Sequence, residues 1–153
     1  MIELIRAHIL PAALSILPPR MDTPDARRMV LAIGLQESRF EHRRQISGPA
    51  RGVFQFERGG VLGVMRHPAT QPHLQAAVLA LQYDAEMAND DIGLHAALEH
   101  NDVLACVLAR LNLWWLRPPL ATARDDGWKQ YISAWRPGLP RPATWADCWA
   151  MAG

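Results

Sequence analysis

Glu37 and Gln55 are the two side chains whose type and setting point most directly to chemistry. Glu37-Ser38 closes the run GLQESRF, and Gln55 lies near the end of the glycine-bearing run GPARGVFQFE. Ala26, Val30 and Ile33 follow one another at spacings of four and three, and Glu37 is the next position on that apolar stripe. A helix through these residues aims a carboxylate at its own core side. Removal from water disfavours the charged form, so the spacing predicts a raised pKa and a carboxyl that keeps its proton near neutrality. Such a group can protonate a glycosidic oxygen, which is a poor leaving group until it receives a proton. The competing reading is an acid at a helix end, paired with Arg39, Arg43, Arg44 or Arg51. Helical spacing alone favours that ion pair, because salt-bridged acids outnumber catalytic ones.

A second carboxylate decides between mechanisms. Glu57 is the nearest rival: if Val53 to Glu57 is extended, Gln55 and Glu57 share one face while Phe54 and Phe56 share the other and anchor the loop in the core. Glu57 can then position an attacking water, or it is a solvent-facing acid beside Arg58. Asp84 and Glu86 fit the polar side of their helix. The six tryptophans, Trp114, Trp115, Trp128, Trp135, Trp145 and Trp149, all fall in the last third of the chain. Their helical spacing reads mostly as core, with one or two free to stack on a sugar ring. His95 and His100 are five apart, which does not place two metal ligands on one helical face, so the histidines read as isolated surface residues.

The order Glu37-Ser38-Arg39-Phe40, then Gly48-Pro49-Ala50-Arg51-Gly52-Val53-Phe54-Gln55, resembles the paired motifs of lytic transglycosylases and goose-type lysozymes of the lysozyme-like superfamily. The resemblance covers residues 30 to 57. It implies that Glu37 is the catalytic acid, Ser38 a hydrogen-bonding residue of the site, Gln55 a substrate contact and Gly52 the glycine that lets backbone and sugar approach. Phe54, Glu57, Asn112 and Tyr131 are further candidate substrate-binding residues. Members of that superfamily carry an Ala-Tyr-Asn run whose tyrosine faces the glutamate. The nearest match here is Arg110-Leu111-Asn112, so Leu111 stands where that tyrosine is expected. Tyr83 and Tyr131 are the phenols available to replace it, and spacing selects neither. Trp128-Lys129-Gln130-Tyr131 and Trp135-Arg136-Pro137-Gly138 are similar to the C-terminal part of bacteriophage members.

The elements that must position these residues are helical. Residues 2 to 17 carry helical periodicity with Pro11 as a kink or break, and Leu17-Pro18-Pro19-Arg20 stops them. Thr23-Pro24-Asp25 opens the helix that ends at Glu37-Ser38. The glycines and Pro49 between Gln45 and Gly60 predict a loop or small hairpin, with a helical turn or more from Val61 to Met65. Further helices are expected over residues 70 to 90, 94 to 100, 102 to 116 and 125 to 136, the fourth of these ending before Pro137-Gly138. A last one starts at Thr144, with Asp147 completing a capping box. Arg117-Pro118-Pro119 is expected to end the helix over 102 to 116. One mainly helical domain over residues 1–153 follows from this pattern, with a loop or β-hairpin region near residues 45–58, and the resemblance implies that its fold is lysozyme-like.

Composition narrows the function classes. The chain is 50% hydrophobic and 20% charged, ordinary for a packed domain, and its net charge of +1 gives no field for nucleic acid or membrane. Cys106 and Cys148 lack metal or redox spacing and read as two reduced, core-packed thiols. Arg39, His42, Arg43, Arg44 and Arg51 cluster near the proposed acid, either as a solvated face or to meet the carboxylates of peptidoglycan. Glu3, Arg6 and His8 interrupt the N-terminal apolar run before a signal-peptide core forms. The resemblance implies a monomeric peptidoglycan-cleaving enzyme without metal or cofactor, and without nucleic-acid or membrane-inserted partners. Such an enzyme reaches the wall by holin-type release or inside a virion. A non-catalytic lysozyme-like protein, binding glycan or building a virion, is the competing class, and a helical adaptor unrelated to that superfamily is a third.

Overall fold

Two helices buried on nearly every side form the centre of the molecule. In the computed structural model, which describes residues 1–116 and 119–153, these are α3 (Pro24–Ser38) and α7 (Asp102–Trp114). Met29 to Gln36 and Leu104 to Leu113 are buried without interruption, so both helices are apolar around most of their circumference. The chain is mainly helical and forms one compact domain. Around this pair pack α1 (Ile2–Leu4) and α2 (Leu10–Ile16), then α4 (Arg58–Arg66), α5 (Gln71–Ala80), α6 (Asp91–Ala97), α8 (Arg124–Trp135) and α9 (Pro142–Ala152). α2 and α5 lie against α7, α9 runs along α3, and α8 leans on α9.

The helix starts follow their chemistry. Thr23 accepts a hydrogen bond from the Ala26 amide at 3.1 Å, with Pro24 at the first helical position. Asn101 caps α7 through the Leu104 amide, and Asp90 caps α6 through the Gly93 amide. At Pro11 the helix does not break. A π-helical turn, Ile5–Ile9, joins α1 to α2 and absorbs the missing proline N–H and the crowded carbonyl before it.

Several expected boundaries shift. The helix expected over residues 70 to 90 ends at Ala80, where Gln82 turns left-handed (φ 63°). A 3-10 segment, Ala85–Asn89, follows, leaving Ala85 exposed. α6 begins three residues before the expected start, because Asp90 captures the Gly93 amide. α9 starts at Pro142, and Thr144 is no cap: its single hydroxyl hydrogen is shared between Gln36 Oε1 at 2.9 Å and the Arg141 carbonyl at 3.0 Å. α7 ends at Trp114, and Arg117 and Pro118 of the expected stop lie outside the described residues.

Between α3 and α4 the chain forms a tight double turn. Antiparallel bridges join Arg44 to Arg51 and Arg51 to Phe56, which is the hairpin-like region expected there. Gly59 and Gly60, expected in the loop, lie in the first turn of α4. Val53 to Glu57 is not extended: the Gln55 amide returns to the Gly52 carbonyl at 2.9 Å, and Gln55 has φ 49°. Phe54 and Phe56 are nonetheless buried, and Phe54 meets Phe40 edge to face with ring centres 5.9 Å apart.

Candidate active site

Glu37 occupies the last turn of α3, half-buried, at the boundary of two concavities. The larger is a cleft of about 1080 Å³ whose walls include Gln55, Glu57, Asn112, Trp115, Trp135 and Arg141. The smaller, about 190 Å³, lies toward Arg39, His42, Thr144 and Cys148. Burial pushes the Glu37 pKa up from 4.5 to about 7, against the opposing pull of a hydrogen bond from Tyr131 and the positive charge of Arg141. No lysine, arginine or histidine pairs with Glu37 within 4 Å among the described residues, so the ion-pair reading does not hold.

The phenol beside Glu37 is that of Tyr131. Its hydroxyl donates to Glu37 Oε1 at 2.6 Å, across 94 residues of sequence. α8 places Trp128, Tyr131 and Trp135 on one face, and the Tyr131 ring stacks on Trp145 of α9 at 5.3 Å and 11°. Those rings exclude water, and burial together with the negative charge of Glu37 raises the pKa of the phenol, which stays a donor. Leu111 is fully buried in α7, and Tyr83 is engaged by Asn101 Nδ2 at 3.1 Å.

Ser38 binds within the protein. Its hydroxyl donates to the Val53 carbonyl at 2.6 Å and accepts from the Phe40 amide at 3.0 Å, tying the end of α3 to the following turn. Arg39 and Phe40 both have left-handed backbones (φ 54° and 60°), as do Gln55 and Arg136 (φ 47°). Arg39 and Arg136 are the left-handed C-caps that end α3 and α8, and the left-handed Gln55 turns the chain back along the cleft wall.

The remaining candidates divide. Gln55 lines the cleft, its amide nitrogen donating to the Gly52 carbonyl at 2.9 Å and the His42 carbonyl at 3.3 Å. Glu57 also lines the cleft, exposed at the start of α4, while Arg58 pairs with Asp91 instead of with it. Asn112 faces the cleft between Trp115, which donates to its Oδ1 at 3.4 Å, and the Ala134 carbonyl, which its Nδ2 reaches at 3.1 Å. Phe54 is no substrate contact, because its side chain is fully buried and its carbonyl accepts from Trp135 Nε1 at 3.0 Å. Gly52 also serves the fold: at φ 73°, a Cβ there would lie 2.8 Å from the Leu98 carbonyl oxygen. Asp84 and Glu86 lie outside both concavities.

Sequence reasoning left open which one or two tryptophans line a groove, and Trp115 and Trp135 line the cleft; it missed Arg136 and Arg141 as cleft residues, since their placement follows from packing between distant helices. It also placed His95 on the surface, whereas His95 is buried with Nε2 2.7 Å from the Phe56 carbonyl, fixing α6 to the turn. Two of the five residues of the basic cluster are occupied by ion pairs: Arg43 with Asp102, and Arg51 with Glu99. Cys106 and Cys148 are free and buried, and burial raises both thiol pKa values, so neither is primed as a nucleophile. Among the described residues no three His, Cys, Asp or Glu side chains gather as metal ligands, and no helix is long and apolar enough to cross a membrane.

No family model, curated protein or solved structure matches the chain. The arrangement itself supplies one carboxyl poised between proton donor and acceptor at neutral pH, a fixed phenol beside it, and an open cleft with indole walls.

Proposed function

We propose that the protein is a lysozyme-like enzyme that cleaves the β-1,4 bond between N-acetylmuramic acid and N-acetylglucosamine in peptidoglycan, with Glu37 as general acid and then base. The observation that carries this reading is the Tyr131–Glu37 hydrogen bond at the edge of the cleft, on a carboxyl whose pKa is about 7. A protonated Glu37 gives its proton to the glycosidic oxygen as the bond to the anomeric carbon breaks. The muramic residue's own acetamido oxygen attacks that carbon, so no second carboxylate is required. Glu37, now ionised, then removes a proton from the muramic 6-hydroxyl, giving an anhydro end, or from water, giving a reducing end. Tyr131 stabilises the carboxylate formed between the two steps. Glu57 lines the same cleft and is the group available to orient a water for the hydrolytic outcome.

Trp115 and Trp135 offer apolar faces for sugar rings, and Gln55 and Asn112 lie where sugar hydroxyls and acetamido groups pass. Leu111, in place of the expected tyrosine, favours a non-catalytic relative, and the phenol that Tyr131 brings to Glu37 supports the catalytic reading against it. The similarity of Trp128-Lys129-Gln130-Tyr131 and Trp135-Arg136-Pro137-Gly138 to bacteriophage members supports a bacteriophage setting, in which the enzyme acts as a monomer and reaches the wall by holin-type release or in a virion. Purified protein is expected to clear a suspension of exposed peptidoglycan, and Glu37→Gln to lower that activity at least about a thousandfold with an unchanged circular dichroism spectrum. Equal clearing by the variant would remove Glu37 from the mechanism. Pull-down of peptidoglycan by the wild type without fragment release would favour a binding module. Mass spectrometry of the fragments separates anhydro from reducing ends.

A further inference from the structure

Arg6, Arg27, Arg43, Arg51, Arg58 and Arg124 each have a carboxylate partner within 4 Å, at Glu3, Asp22, Asp102, Glu99, Asp91 and Asp125, whereas several others, Arg39 and Arg44 among them, have none among the described residues. Arg136 and Arg141, which line the large cleft, have no carboxylate partner among the described residues. Arg141 also borders the small concavity, so it stands beside Glu37 on both sides of the acid.

Arg141 is held in place without its charge being cancelled. Its Nη2 donates to the Gln36 carbonyl at 2.6 Å, and its own carbonyl accepts from Gln36 Nε2 at 2.9 Å. Thr144 completes the clamp by donating to Gln36 Oε1 at 2.9 Å. A guanidinium has five N–H donors in a planar fork, and this clamp uses one of them. Pro137 and Pro140 restrict the loop that carries both arginines. The acidic residues of the cleft are Glu37 and Glu57, and Glu37 is neutral when it acts as proton donor. An anchored, uncompensated guanidinium beside Glu37, with a second, exposed one lining the same cleft, suits an anionic substituent on the substrate.

We propose that Arg141, assisted by Arg136, recognises a carboxylate on the glycan, gripping the lactyl group of the muramic residue beside Glu37. The assignment rests on the glycan-cleaving reading and adds the source of its preference for muramic acid. A carboxylate seated there also offsets the pull of Arg141 on the Glu37 proton, so the charged substrate helps keep the acid protonated.

The test uses the Glu37→Gln protein, which binds without turnover and has no carboxylate at position 37 for Arg141 to influence. Calorimetric titration compares a tetrasaccharide of alternating N-acetylglucosamine and N-acetylmuramic acid with chitotetraose, which has the same length and no carboxylate. The muramic oligosaccharide is expected to bind roughly tenfold to a hundredfold more tightly, with the preference shrinking as salt rises. Arg141→Met in the same background is expected to abolish the preference while chitotetraose binding persists. Arg141→Lys, which keeps the charge but loses the fork, is expected to retain part of it. Arg136→Gln leaves the Gln36 clamp intact and is expected to reduce the preference, which keeps the proposal testable if Arg141→Met unfolds. Equal binding of the two sugars, or a preference that survives both Arg141→Met and Arg136→Gln, overturns the proposal and leaves the cleavage reading standing. Binding of neither sugar overturns both, and the clearing assay judges cleavage on its own.

Discussion

Glu37 is pulled in two directions: desolvation holds its proton, while Tyr131 and Arg141 favour letting it go. The balance near neutrality is what a residue needs if it must first give a proton and then take one back. Cleavage by the proposed mechanism is therefore expected to fall as pH rises through about 7, where the carboxyl loses its proton. Tyr131→Phe removes a donor that stabilises the carboxylate, so this falling limb is expected to move to higher pH, measured as the clearing rate from pH 5 to 9. A limb that stays in place or moves down would mean that the phenol does not set the acid's pKa. Stability carries the same signature. Because the folded pKa lies above the unfolded value of 4.5, the native state binds more protons, and stability is lost as pH rises from 4.5 through about 7. Glu37→Gln is expected to melt like the wild type at pH 4 and to exceed it by up to about 3 kcal/mol at pH 8.

The turn between α3 and α4 shows how an element can be built around one backbone position. Gly52 meets Leu98 too closely for any Cβ and has φ 73° as well. Gly52→Ala is expected to cost about 2–4 kcal/mol in chemical denaturation, with the loss centred on the contact between this turn and the end of α6. This element also marks what the sequence could reveal. The stripe of Ala26, Val30 and Ile33 placed Glu37 on the buried side of α3 because helical phase is a local property. Thr23-Pro24 marked the helix start because capping is local too. The burial of Phe54 and Phe56 was foreseen, though by the alternation of a strand that does not exist; a left-handed Gln55 produces the same outcome. Tyr131, Trp135 and Arg141 could not be read in this way. Their distance from Glu37 depends on how α8 and α9 dock, and no spacing along the chain encodes that.

At the scale of the molecule, the site is a joint between the early helix α3 and the late pair α8 and α9. Arg28 lies over the Trp149 ring at 4.4 Å, and Gln36 holds Arg141 and Thr144, so α9 is fastened along the length of α3. α8 reaches the acid by resting on α9. Gly127 of α8 allows that approach, since a Cβ there would lie 2.5 Å from the Trp149 ring. Gly127→Ala is expected to destabilise the protein by about 1–3 kcal/mol and to weaken the Tyr131–Glu37 bond, read as a lower melting temperature together with an altered pH profile. The reach of that bond across 94 residues has a further consequence for the newly made chain. While the polypeptide is still emerging from the ribosome, Glu37 is an ordinary solvated carboxylate, ionised at neutral pH and unable to donate a proton. The buried, protonated acid comes into being only when the last third of the chain docks, so under the proposed mechanism cleavage would report that folding is complete.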